Sequence, residues 1–326
     1  MAAILKLFII GFFVSVYISG CTTDNKDTAI LGVSSGNYIY VADYANNRIV
    51  RMDNMTGAGW VTLGTTGNGA NQFDGPMDIF VDASGRIYVT DSFNNRIVRM
   101  DDITGAGWVT LGSVGGNGVD QFVRPYGIFV DAAQKIFVVD CGNSRLVRVD
   151  DMTGSGWTTF GIGSNGNGTN QFNSPSYIYV NTNGKIYVTD TGNDRLVRID
   201  DMTGAGWITF GTIGVGTNQF SSPLGVKVDT GGKIYINDAS NNRIVRIDDM
   251  TGLGWTTFGF SGNGANQFDS PFGLFVDTIG KIYVTDRNNS RIVRIDNMTG
   301  EGWVALGTYG RGGAMQFYYP YGIYYR

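Results

Sequence analysis

Few side chains in this sequence can do acid–base or metal chemistry, and those that can are evenly spaced. Its 326 residues include no His, one Glu (Glu301) and two Cys (Cys21 and Cys141). Imidazole catalysis, Cys–His nucleophile pairs and His/Cys zinc sites are thereby removed. What remains is a series of Asp residues, each five positions ahead of an Arg: Asp43 and Arg48, Asp91 and Arg96, Asp140 and Arg145, Asp190 and Arg195, Asp238 and Arg243, Asp286 and Arg291. Six identical catalytic carboxylates make little sense. Opposite charges facing one another across a short hairpin are the simpler account, contributing about 0.2–1 kcal/mol each when exposed. A second acidic run, Asp248-Asp249-Met250-Thr251-Gly252 and its counterparts, pairs carboxylates that suit a hard cation. Its spacing is neither that of an EF-hand nor that of a Gly-rich calcium repeat, and an Asx-type turn closed by a positive-φ Gly explains it. No catalytic residue, metal ligand or cofactor is assigned on these grounds.

These acidic positions belong to a longer unit. Trp60, Trp108, Trp157, Trp207, Trp255 and Trp303 recur 48 to 50 residues apart, so nearly the whole chain is one unit written six times. In the copy that starts at Leu224, four short runs rich in β-branched and aromatic residues are separated by Gly, Asn and Asp: 224–228, 233–238, 243–248 and 255–258. The connections are hairpin turns, and a longer Gly-Asn-Gln-Phe-Pro segment leads into the next copy. The expected fold is all-β: a six-bladed β-propeller of four-stranded antiparallel blades over residues 29–326. Apolar residues on both parities of each strand fit blades covered on both faces, and the Trp residues and inner-strand Phe and Tyr are expected to fill the interfaces. The C-terminal run 320–325 is an inner strand with nothing after it, while residues 30–33 are a degraded copy of that strand. The C-terminal strand is therefore expected to complete the first blade and seal the ring.

The motif Asp91-Ser92-Phe93-Asn94-Asn95-Arg96-Ile97, with Gln121-Phe122 and Pro125-Tyr126-Gly127-Ile128, resembles the NHL-repeat propellers. Asn-Asn-Arg-Ile, Asn-Ser-Arg-Leu or Asn-Asp-Arg-Leu stands where that family has Asn-His-Leu. The resemblance implies an interaction scaffold or, alternatively, a metal-dependent lactonase- or lyase-like enzyme. Such enzyme sites use Glu with Asn and Asp, or His; here there is no His, and Glu301 falls in a turn on the rim opposite the variable one. Some members bind RNA, which needs a basic face. Most Arg here are matched to Asp, and Arg124, Arg287 and Arg311 are set against Asp74, Asp78 and Asp269, so no nucleic-acid partner is expected.

Divergence between copies points to the ligand site. The turns of one rim barely change, while the Asn-containing loops and the residues flanking each Pro differ. After Pro come Met77, Tyr126, Ser176, Leu224, Phe272 and Tyr321; before it lie Gly75, Arg124, Ser174, Ser222, Ser270 and Tyr319. Asp78 and Tyr177 replace a Gly, and Lys227 interrupts a position otherwise held by Phe or Tyr. An apolar, aromatic funnel with a few polar groups is how ligand pockets are usually built. The candidate binding residues are Met77, Asp78, Arg124, Tyr126, Tyr177, Lys227, Phe272, Tyr319 and Tyr321.

Residues 1–20 carry Lys6 and then an apolar run too short to span a bilayer, which needs roughly 20 residues. They read as a secretory leader. Ile18-Ser19-Gly20-Cys21 resembles the lipobox of bacterial lipoproteins, which implies a diacylated Cys21, a tether over 21–28 and an extracytoplasmic location at the cell envelope, on the outer membrane or cell surface. Cys141 then has no disulfide partner. The formal charge of −4, about −5 without the leader, disfavours polyanions. The expected protein is a membrane-anchored, monomeric binding scaffold for a protein, peptide or glycan, with a multivalent lectin-like form as a second alternative.

Overall fold

The computed structural model describes residues 37–326. The leader, Cys21, the tether and residues 30–33 lie outside the described residues. Six four-stranded antiparallel sheets form, each running from an inner strand beside the axis to an outer edge. Blade 2 is typical: Pro76–Val81, Ile87–Asp91, Arg96–Met100 and Val109–Gly112. Blades 3 to 6 follow with inner strands beginning at Pro125, Ile178, Pro223 and Pro271. Blade 1 is assembled from both ends of the described chain: Pro320–Tyr325 lies inside Ile39–Asp43, with Ile39 opposite Tyr325 and Val41 opposite Ile323. Tyr38 and Arg326 exchange backbone hydrogen bonds of 2.7 and 3.0 Å. The C-terminal strand therefore closes the ring.

The aromatic side chains divide their work differently from the expectation. The fully buried ring of each interface is the Phe of the Gln-Phe pair: Phe73, Phe122, Phe172, Phe220, Phe268 and Phe317 are 0% exposed. The half-buried Trp of the outer strand packs on that Phe, at 5.1 Å for Phe122–Trp157 and 5.5 Å for Phe220–Trp255. The inner-strand rings Phe80, Phe129, Tyr179, Phe275 and Tyr324 instead face the central channel and pack on one another, with centroids 4.8–5.3 Å apart. A position next to the axis has neighbouring blades on both sides and the channel in front, so a ring there lines the channel. The connecting segments also pair with themselves, as short parallel bridges such as Thr212–Ile213 with Gln219–Phe220.

The Asp–Arg pairs are not exposed, contrary to the hairpin-rim reading. The six Asp are 0% exposed. In blade 2 the Asp91 carboxylate accepts from Arg96 Nε at 2.8 Å, Asn94 Nδ2 at 2.9 Å and the Asp74 amide at 2.7 Å. Arg96 also donates to the carbonyls of Asn68 and Gln72 and stacks on Trp108 at 5.8 Å. Each node thus pins the connecting segment of its own repeat to the blade, with most donors of a buried charge satisfied. The Asx turns are as read: Thr104 and Thr153 donate to Asp102 and Asp151. Asn54 and Asn297 do the same job without a charge, so a hydrogen-bond acceptor is what the turn needs.

Candidate ligand funnel

A short strained element positions the rim at every blade. The residue before each Pro has a left-handed φ, 62° at Gly75, 49° at Arg124, 51° at Ser222, 54° at Ser270 and 53° at Tyr319. A side chain is disfavoured there, and the geometry is held by the preceding blade. The Arg124 amide donates to Asn95 Oδ1 at 2.9 Å, the Ser222 amide to Asp194 at 2.7 Å and the Ser270 amide to Asn242 at 2.8 Å. The Asn-containing loop of one blade therefore fixes the Pro segment of the next.

Together these segments and loops enclose a cavity of about 530 Å³ at one mouth of the channel. Arg124, Tyr126, Phe272 and Tyr321 line it, as expected, and Tyr319 packs beside Arg287. The wall has two unlike halves. Blades 4 and 5 supply Ser174, Ser176, Thr191, Ser222 and Ser240, with Ser270 at their border. The other half carries Tyr126, Tyr321 and Phe272, and behind Tyr321 the rings of Tyr44 and Phe93 continue the packing, with centroids 4.0 Å (Phe272–Tyr321), 4.3 Å (Tyr321–Tyr44) and 5.9 Å (Tyr44–Phe93) apart. Tyr44, Phe93, Thr191 and Arg287 were not among the candidate residues. They come from the Asn-containing loops, whose variation between copies was the available signal.

The charges at this mouth are not arranged as the sequence suggested. Arg124 lies over Phe93 and Tyr126, at 5.7 and 5.9 Å, and its Nη2 donates to the Tyr126 hydroxyl at 3.2 Å. Arg287 lies 5.4 Å from both Tyr319 and Tyr321, and its buried Nε has no acceptor. Neither makes a salt bridge among the described residues, so Asp74, Asp78 and Asp269 do not offset them by contact. Asp269 accepts from Asn288 Nδ2 at 2.9 Å instead. Cys141 also lines the cavity; burial pushes its thiol up to about 12, so it stays in the thiol form.

Three candidates sit elsewhere. Met77 is 3% exposed and packs with Tyr177, Leu224, Phe272 and Tyr321 beneath the mouth. Asp78 and Tyr177 occupy the waist of the channel, at a position where Gly lets inner strands touch: a Cβ at Gly273 would collide with the Tyr321 carbonyl. The buried Asp78 carboxylate accepts from the amides of Ile79 at 2.9 Å and Ile128 at 3.0 Å, tying blade 2 to blade 3. Burial raises its pKa to about 7, since two amides and no cation oppose desolvation. The Tyr177 hydroxyl is buried without a partner. Lys227 opens onto a separate cavity of about 520 Å³ at the opposite mouth, its Nζ 4.5 Å from the Tyr179 ring and 4.3 Å from Phe275. Leu224, three residues earlier, lines the first mouth. A strand advances about 3.3 Å per residue, so the inner strand carries Lys227 through the ring and out of the funnel.

The NHL repeat family model matches residues 172–199. No curated protein sequence matches the chain. Among solved structures, one titled streptogramin B lyase is similar at a TM-score of 0.59 and 16% identity, over 89% of this chain and 83% of that one. A catalytically inactive virginiamycin B lyase from Staphylococcus aureus, solved with quinupristin, gives 0.54 and 18% over 80% of each chain. A chain of a nidogen/laminin complex gives 0.66 and 17% over 89% of this chain and 98% of that one. These likenesses are of fold, shared by lyases and by a chain of a protein–protein complex alike. The chain is a six-bladed all-β propeller whose fourth blade carries a recognisable NHL repeat.

Proposed function

We propose that the protein is a binding scaffold rather than an enzyme, held at the cell envelope through Cys21 and taking its ligand in the funnel at the Pro-flanked mouth. One observation carries this reading. The cavity of about 530 Å³ is lined by the positions that differ between the six copies, while the nodes that build the blades are repeated. Its size falls in the range of about 300–1,000 Å³ typical of ligand sites. The sequence supplies no imidazole, and the one thiol at the mouth is held protonated. The test is retention of envelope extract on immobilised full-length protein, beside a Tyr321→Ala, Phe272→Ala double variant. Material kept by the wild type and released by the variant is the expected result. Equal retention by both places the binding surface elsewhere.

A further inference from the structure

Resting on that reading, we infer that the funnel takes a carboxylate-bearing saccharide. Arg124 rests on Phe93 and Tyr126, Arg287 rests on Tyr319 and Tyr321, and the run Phe93–Tyr44–Tyr321 joins the two, so the guanidiniums flank one aromatic arc at the mouth. Both guanidiniums rest on aromatic faces that preset them, and neither is neutralised by a carboxylate. Among the described residues no Asp or Glu lines the cavity, although the protein as a whole is acidic. An anion completes these sites, and a carboxylate matches the planar donor fork of Arg.

The wall between the two Arg narrows the class. One side is a bank of Ser and Thr hydroxyls, able to donate or accept; the other presents the aromatic rings of Tyr126, Tyr321 and Phe272. A sugar ring has a hydroxylated edge and apolar C–H faces that match these halves. An extended peptide needs free backbone groups, and the rim amides of Arg124, Ser222 and Ser270 are already bonded to the preceding blade. The cavity of about 530 Å³ admits only a few sugar units.

The experiment is calorimetric titration of the full-length chain in detergent with galacturonate- and glucuronate-containing disaccharides, matched neutral disaccharides, acetate and a short peptide with a free C-terminal carboxylate. An acidic disaccharide should bind at least tenfold tighter than its neutral match, weaken with added salt, and lose at least tenfold in Arg124→Gln and Arg287→Gln. Arg124→Lys should recover part of that loss, which separates charge from folding damage. Equal binding of neutral and acidic sugars, tighter binding of the peptide, or no binding of any acidic sugar overturns the inference. If the last result accompanies funnel-dependent retention of envelope extract, only the saccharide assignment fails; if retention is absent too, the binding reading fails with it.

Discussion

The protein uses Arg on an aromatic ring in two places, to opposite ends. In the framework nodes, Arg195 lies 5.7 Å from the Trp207 ring, bonds Asp190 at 2.7 Å, and spends its remaining donors on backbone carbonyls. At the funnel, Arg287 has the same stacking on Tyr319 and Tyr321 but no carboxylate. The first arrangement is closed and repeated six times. The second is open, and Arg124 on Phe93 and Tyr126 shares it. The difference lies in whether a neighbouring acid completes the guanidinium, and it separates residues that build the ring from those free to meet a ligand.

The comparison breaks most visibly at ring closure. Removing residues 319–326 strips blade 1 of its inner strand, and cooperative thermal unfolding should be lost or displaced far downward; an unchanged melting temperature would show that closure contributes nothing. Next in size, Asp190→Ala leaves Arg195 as an uncompensated charge and should cost about 3–5 kcal/mol in denaturant unfolding. Arg124→Gln should stay within about 0.5 kcal/mol. Similar losses for the two would erase the distinction between framework and funnel.

Asp78 sits between these extremes, a buried acid with amide partners and no cation. Its folded pKa of about 7 lies above the unfolded value of 3.8. The folded state thus binds more protons across that interval, and stability falls as pH rises from about 4 to 7 and then levels off. The penalty is of the order of 4 kcal/mol at most, at about 1.4 kcal/mol per pH unit. In Asp78→Gly, the residue type found at this position in four other copies, the difference from wild type should shrink and reverse towards high pH. A parallel pH profile for both proteins would remove Asp78 as the cause.

One substitution is expected to bring a small gain. Arg124→Gly relieves a left-handed φ of 49° and should stabilise by about 0.5–1 kcal/mol while abolishing ligand contacts on blade 3. A loss of stability would mean that Arg124 stacking on Phe93 and Tyr126 outweighs the backbone strain.

Much of this molecule is legible in its sequence because every local signal is repeated six times. The spacing of Trp60, Trp108 and their successors, the strand runs and the unmatched C-terminal strand specify a closed six-bladed ring. The funnel was partly legible: variation flanking each Pro marks Arg124, Tyr126, Phe272 and Tyr321, which the fold does gather at one mouth. Variation alone carries no depth, however. It placed Asp78, Tyr177 and Lys227 in the same set, and the fold distributes them to the waist and the far mouth.

What the sequence by itself determined was the count and order of strands, because hydrophobic period, turn chemistry and repeat length are local properties of the chain. Only the tertiary structure decided which charges are completed and which are left open. Asp190 and Arg195 look as exposed as any hairpin pair until the connecting segment folds over them, and Arg287 looks matched by Asp269 until Asn288 takes that carboxylate. Burial and partner choice depend on residues distant in the chain, through interactions that fall away within a few ångströms, and one-dimensional spacing does not encode them.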